Sequence, residues 1–165
     1  MPDSVVIRRL DLGDAPALVA FYNSLSRASK RTFRPLGPVT MLEKCENIVV
    51  DNVAVADTKF DLVAVQDGGA QGARIVGWGF LWDLHTDEPV LGLAVADAFR
   101  GQGVGTALIT RVLDVARERG LTRVCLTVVT DNEVAKRLYK KHGFVKYGEF
   151  VGEDGLPYFR MRVEF

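Results

Sequence analysis

The most constraining stretch of this chain is Phe99-Arg100-Gly101-Gln102-Gly103-Val104-Gly105-Thr106, in which an arginine is followed by glycines at every second position. Glycine has no Cβ, so it enters left-handed backbone conformations freely and lets a ligand approach the main chain. The flanks of this turn give it a place in a fold. Before it, Pro89-Val90-Leu91-Gly92-Leu93-Ala94-Val95-Ala96 is continuously apolar and rich in branched residues, the pattern of a strand buried on both faces. After it, Val104, Ala107, Leu108, Val112, Val115 and Ala116 recur at helical spacing, Thr106, Thr110, Asp114 and Arg117 form the opposite stripe, and Gly120 supplies a stop. Strand, glycine turn and helix in that order leave several unpaired N–H groups at a helix N-terminus, where partial positive charge favours an anion such as a pyrophosphate.

Spacing separates the loops that use such a turn. A Walker loop requires Gly-Lys-Ser/Thr, whereas Gly105 is followed by Thr106 and Ala107. A dinucleotide fingerprint requires a third glycine three positions after Gly103, where this chain has Thr106. The pattern left is Arg100-x-x-Gly103-x-Gly105, either an anion cradle or simply a tight connection. A second segment follows it. Val124-Cys125-Leu126-Thr127-Val128-Val129 reads as a strand, and Asn132-x-x-Ala135-x-x-Leu138-Tyr139-x-x-x-Gly143-Phe144 as a helix on which Val134, Ala135, Leu138 and Tyr139 share the inward face. Thr130 and Glu133 have the spacing of a capping box, and Gly143 can end the helix.

Together these two segments resemble the GNAT superfamily of acyl-CoA-dependent N-acetyltransferases. The specific motifs lie within residues 91–144, and a looser likeness runs from Ile7-Arg8-Arg9-Leu10, with Asp11 and Asp14, to the closing strands. The remaining elements fit that layout. Strands are expected at 5–10, 60–66, 74–82, 90–96, 123–129, 144–151 and 157–165, and helices at about 14–24, 40–52, 103–119 and 132–142. Turn clusters at Asp67 to Gly72 and at Asp154-Gly155 make hairpins of the strands they join. The expectation is a mixed α/β fold: a mostly antiparallel sheet of about seven strands flanked by about four helices, in one domain over residues 1–165.

Composition agrees with an enzyme of that kind. A chain of 165 residues that is 48% hydrophobic can fill one ordinary core. The 21 basic and 21 acidic side chains cancel, so nothing points to nucleic acid or to an anionic membrane as a partner. Cys45 and Cys125 lack metal-ligand spacing, no metal is expected, and a reducing cytoplasm is the simplest setting. No apolar run reaches membrane-spanning length, and the N-terminus lacks a signal-peptide pattern.

The resemblance assigns chemistry residue by residue. It implies acetyl-CoA as cosubstrate, with main-chain N–H groups of Gly101, Gln102, Gly103, Val104, Gly105 and Thr106 around its pyrophosphate. Leu93, Ala94 and Val95 then run beside the pantetheine arm, whose amides can pair with a free strand edge. Arg100 either adds a charge-assisted contact or only borders the loop. Asn132 lies near the cofactor or caps its helix. Tyr139 is the expected general acid on the coenzyme A thiolate, the other reading of the residue being an aromatic core position.

A general base is harder to assign, because residues 90–96 carry no Glu, Asp or His and so depart from relatives with a carboxylate there. Asp83, His85, Asp87 and Glu88 before the strand and Asp97 after it are the nearest titratable groups, and His85 is the first choice because imidazole titrates near neutrality. The acceptor is expected to be a primary amine of a small molecule or peptide. Residues 15–42 contain no acidic side chain but hold Arg27, Lys30, Arg31 and Arg34, which would suit an acceptor with an anionic group nearby. Trp78 and Trp82 share a strand face and line either core or pocket. A homodimer is possible, and the competing function is a non-catalytic acyl-CoA sensor.

Overall fold

The computed structural model describes residues 1–2, 4–26, 29–30, 42–54, 57–68, 70 and 72–165. Seven strands, β1 (Val5–Arg9), β2 (Phe60–Gln66), β3 (Arg74–Trp82), β4 (Val90–Val95), β5 (Arg123–Val129), β6 (Val145–Val151) and β7 (Pro157–Glu164), form one sheet in the order β1-β2-β3-β4-β5-β7-β6. Every neighbouring pair is antiparallel except β4 and β5. Four helices are bounded within the described residues: α1 (Ala15–Ser24), α2 (Leu42–Ala54), α3 (Val104–Glu118) and α4 (Glu133–Lys141). The expected strand and helix order is therefore observed, with ends displaced by one or two residues.

Local chemistry explains the entries to these elements. A short 3-10 turn at Leu12–Asp14 leads into α1, capped by Asp11 and Asp14 reciprocally, and Arg8 clamps Asp14 with two hydrogen bonds of 2.7 Å. Gly120 and Gly143 stand at φ of 73° and 92°, left-handed positions just past α3 and α4, as a helix stop requires. Asn132 caps α4, its side chain accepting from the Ala135 N–H at 3.2 Å. The expected Thr130–Glu133 capping box is thus replaced by a cap two residues later, where the Asn132 carboxamide oxygen meets the third helical N–H.

The two sheet faces are filled differently. α3 lies on the face carrying Gly77 and Gly79, where a Cβ on Gly77 would stand 2.9 Å from Leu108 Cδ1, so small residues let the helix seat. Leu108, Ile109, Val112 and Leu113 of α3 are all buried there. The other face carries Trp78, Phe80 and Trp82 of β3, with Asp61 of β2 directly opposite Phe80. Trp78 is fully buried, which settles it as core, and Phe80 stacks on Trp82 at 3.9 Å between ring centres.

The core also corrects two expectations. β4 was expected to be buried on both faces, but Leu91 alone is buried, Gly92 to Val95 are half-buried and Val90 is exposed. Val134, expected on the inward face of α4, is 71% exposed, whereas Tyr139 is buried and Ala135 and Leu138 are half-buried. The first turn of a helix projects beyond the layer that the rest of it packs against. Both Cys45 and Cys125 are buried and in no disulfide. Among the described residues no helix is long and apolar enough to cross a membrane, and no group of three or more His, Cys, Asp or Glu could hold a metal ion.

Candidate active site

The site begins with a parting of strands. β4 and β5 run parallel but share one register pair, Val90 with Cys125, joined by the Cys125 N–H donating to the Pro89 carbonyl at 2.8 Å. Beyond Val90, β4 remains laddered to β3 through Val95 while its other edge has no strand partner among the described residues. Leu93, Ala94 and Val95 therefore lie along an open edge, and this opening is why β4 is half-buried instead of enclosed. An unpaired strand edge offers main-chain donors and acceptors to an extended amide-bearing ligand.

At the far end of that edge stands the glycine turn. Gly101 and Gly103 have φ of 72° and 86°, left-handed values that a side chain would strain. Gly103 is the N-cap of α3 and has no side chain to accept from the first turn, while Ala107 N–H already bonds to the Gly103 carbonyl. The N–H groups of Val104, Gly105 and Thr106 precede that first helical bond, so the turn ends in an anion-favouring set of donors. The Val104 side chain is itself fully buried, so its main chain is what it can offer a ligand. Gln102 donates from its amide to the Ala98 carbonyl at 3.0 Å and steadies the turn.

Gly105 has a different basis from Gly103. It lies inside α3 without a positive φ, and a Cβ there would meet Val95 Cγ2 at 3.6 Å and Leu138 Cδ2 at 3.7 Å. A side chain at Gly105 would therefore demand no left-handed backbone angle. Gly105 lies where β4, α3 and α4 meet, with Val95 and Leu138 at ordinary contact distance from a Cβ placed there.

Tyr139 is carried in by that same packing. Its ring tilts against Phe144 at 5.8 Å, and only 7% of the residue is exposed. Burial alone pushes its phenol up to about 12, and its hydroxyl makes no hydrogen bond with any described residue. It is a neutral donor at physiological pH with no acceptor among the described residues.

The other candidates separate. His85 is exposed in the turn between β3 and β4, at the closed end where β4 meets β5. The six residues of β4 lie between it and the glycine turn, roughly 20 Å of extended chain. Asn132 has the capping role described above. Arg100 gives a guanidinium N–H to Ser29 and lies 3.4 Å from Asp97. His142 is the C-cap of α4, its Nδ1 2.9 Å from the Leu138 carbonyl. Lys30 lies 5.8 Å above the Tyr22 ring, and Arg27, Arg31 and Arg34 fall outside the described residues.

One cluster had no warning in the motifs. Asp61 is buried and accepts from Trp78 Nε1 at 3.0 Å, Trp82 Nε1 at 3.2 Å and Asn52 Nδ2 at 2.9 Å. Burial raises its carboxyl to about 6, and the three donors only partly offset that rise. A single charge inside the run Phe60-Asp61-Leu62-Val63-Ala64-Val65 was the available signal.

Comparison with known proteins agrees with this architecture. The sequence model of the Acetyltransferase (GNAT) family matches residues 21–144. A thialysine N-epsilon-acetyltransferase of Mus musculus is 32% identical over 102 residues, covering 59% of this chain and 58% of the relative. The chain spans about half of the length of the curated relatives it matches. A GNAT-family acetyltransferase from Streptococcus pneumoniae superposes with a TM-score of 0.78 at 26% identity, covering 98% of this chain and 99% of the other. An N-acetyltransferase from Thermoplasma acidophilum, crystallised with coenzyme A, shares the fold with a TM-score of 0.74 at 18% identity, covering 98% and 99%. From the open β4 edge, the left-handed glycine turn and the match across three quarters of its length, this chain belongs to the acetyltransferase (GNAT) family.

Proposed function

We propose that the protein transfers an acetyl group from acetyl-CoA to a primary amine by direct attack within a ternary complex. The observation that carries this reading is the continuity of the open β4 edge with the glycine turn, which together offer strand hydrogen bonds to an amide-bearing arm and helix N-terminal donors to a pyrophosphate. The amine lone pair attacks the thioester carbonyl carbon, the C–S bond breaks, and sulfur departs with the electron pair as a thiolate. The attacking nitrogen releases one proton, and the thiolate takes one up.

Tyr139 serves that second transfer. A phenol raised to about 12 does not surrender its proton outright to a thiolate with a solution value near ~8.5. It instead donates a short hydrogen bond as charge grows on sulfur, and hands the proton over only as desolvation raises the basicity of the sulfur as well. The nitrogen proton is assigned to solvent near the closed end of β4, where His85 and its acidic neighbours stand exposed. An acceptor of the class of small-molecule or peptide amines is supported by relatives named as thialysine and ribosomal-protein-alanine N-acetyltransferases.

Calorimetric titration with coenzyme A tests the reading. Wild type should bind, and Gly103→Val should weaken binding about a hundredfold or more, because a branched side chain at φ of 86° shifts the turn that aims the donors. Equal affinity in both proteins would remove the glycine turn from the cofactor site.

A further inference from the structure

Arg100 opens the glycine turn, where a phosphate ligand would be convenient, yet one guanidinium nitrogen, Nη2, is already engaged with the protein. Nη2 donates to Ser29 Oγ and lies 3.4 Å from Asp97 Oδ1, while Ser29 Oγ–H donates to that same Asp97 oxygen at 2.9 Å. Ser26 completes the cluster, its Oγ accepting from the Ser29 N–H at 3.2 Å. Ser29 is only 4% exposed, so its hydroxyl is an interior contact and not a surface accident. Burial opposes the charge on Asp97, but the hydrogen bonds from Ser29 and Ser26 and the nearby Arg100 outweigh it and hold the carboxyl below its ordinary value. The ion pair therefore persists at neutral pH. It joins the chain just after α1 to the start of the turn, segments about seventy residues apart in sequence.

We infer that Arg100 is a brace, a positioning residue that ties the segment after α1 to the glycine turn and so preorders the N–H groups of Gly101 to Thr106, and that it is not a ligand of the cofactor phosphates. This rests on the acetyl-CoA reading of the turn. The main chain supplies the anion site already, and the contacts of Nη2 with Ser29 and Asp97 hold the guanidinium toward the segment after α1. Preordering donors increases affinity because their conformational entropy is lost before the ligand arrives.

A double-mutant cycle on coenzyme A affinity separates the roles, with Ser29→Ala as the informative variant because it changes no charge. The brace predicts that Ser29→Ala weakens coenzyme A about fivefold, a coupling of ordinary size, and leaves the salt dependence of binding unchanged. In an Arg100→Ala background the same substitution should have no further effect. If Ser29→Ala leaves affinity unchanged or improves it while Arg100→Ala weakens it, Arg100 is a phosphate ligand and the inference is wrong. Indifference to both substitutions overturns it equally. Should wild type fail to bind coenzyme A, the proposed function falls first. The brace is then judged by amide exchange, where Ser29→Ala and Asp97→Asn should both speed exchange across Gly101 to Thr106 in an otherwise folded chain, and unchanged exchange rejects it.

Discussion

Two buried titratable groups, Asp61 and Tyr139, have values displaced upward by the same physical cause and sit among opposite surroundings. Asp61 accepts from two indoles and a carboxamide, and the cost of burying it is shared among β2, β3 and α2. Asn52 gives its amide N–H to Asp61 and leaves its own Oδ1 without a partner, so even the shortfall of this network falls on a structural residue. Tyr139 has no such company. Its hydroxyl makes no hydrogen bond with any described residue, and burial is the sole cause of its displacement to about 12. A buried group whose bonds are taken up by the protein is working for the fold, whereas one left with a free donor is available to a ligand.

The largest effect expected from this contrast is on stability. Asp61→Ala strands the Trp78 N–H and the Asn52 amide in the interior and should destabilise the fold by about 4 kcal/mol, measured by urea unfolding. A loss below about 1 kcal/mol would mean that the network contributes little. Next comes pH. The unfolded Asp61 titrates near its ordinary 3.8 and the folded one near 6, so the folded state holds this proton more tightly. The stability it contributes is fully present below about pH 4 and is lost as pH rises through 6, roughly 3 kcal/mol in all. Wild type compared with Asp61→Asn at several pH values should show that loss between pH 4 and 6 and a plateau above; a flat difference would give Asp61 an ordinary carboxyl.

Tyr139→Phe should lower kcat about a hundredfold, some 2.7 kcal/mol of transition-state stabilisation, while coenzyme A affinity holds. Unchanged turnover, in an assay limited by chemistry, would make Tyr139 a second structural residue and erase the contrast. The smallest effect completes it. Because the Tyr139 hydroxyl has no hydrogen bond to lose among the described residues, Tyr139→Phe should leave unfolding stability within about 0.5 kcal/mol of wild type. A cost above about 1.5 kcal/mol would show that the hydroxyl is committed inside the fold.

Much of this was legible in the chain. Helical spacing located α3 and α4, the stops at Gly120 and Gly143 are left-handed as expected, and the glycine turn before α3 announced its exposed donors. The apolar run of β4 was read as a strand correctly but as a doubly buried one wrongly, since nothing local to residues 89–96 says that β5 parts from it after Val90. Thr130 and Asn132 are both good caps, and only the backbone path out of β5 chose between them.

What the sequence determined by itself was whatever depends on neighbours within a few positions: periodicity, caps, and the glycines that permit a left-handed turn. The tertiary structure decided which strand edge stays open, which of two buried groups keeps a free proton, and where Arg100 spends its hydrogen bonds. Those outcomes depend on partners tens of residues away, such as Ser29 with Arg100 or Asn52 with the indoles across Asp61, and pairing over such distances is set by how the layers pack and not by any pattern in the segment itself.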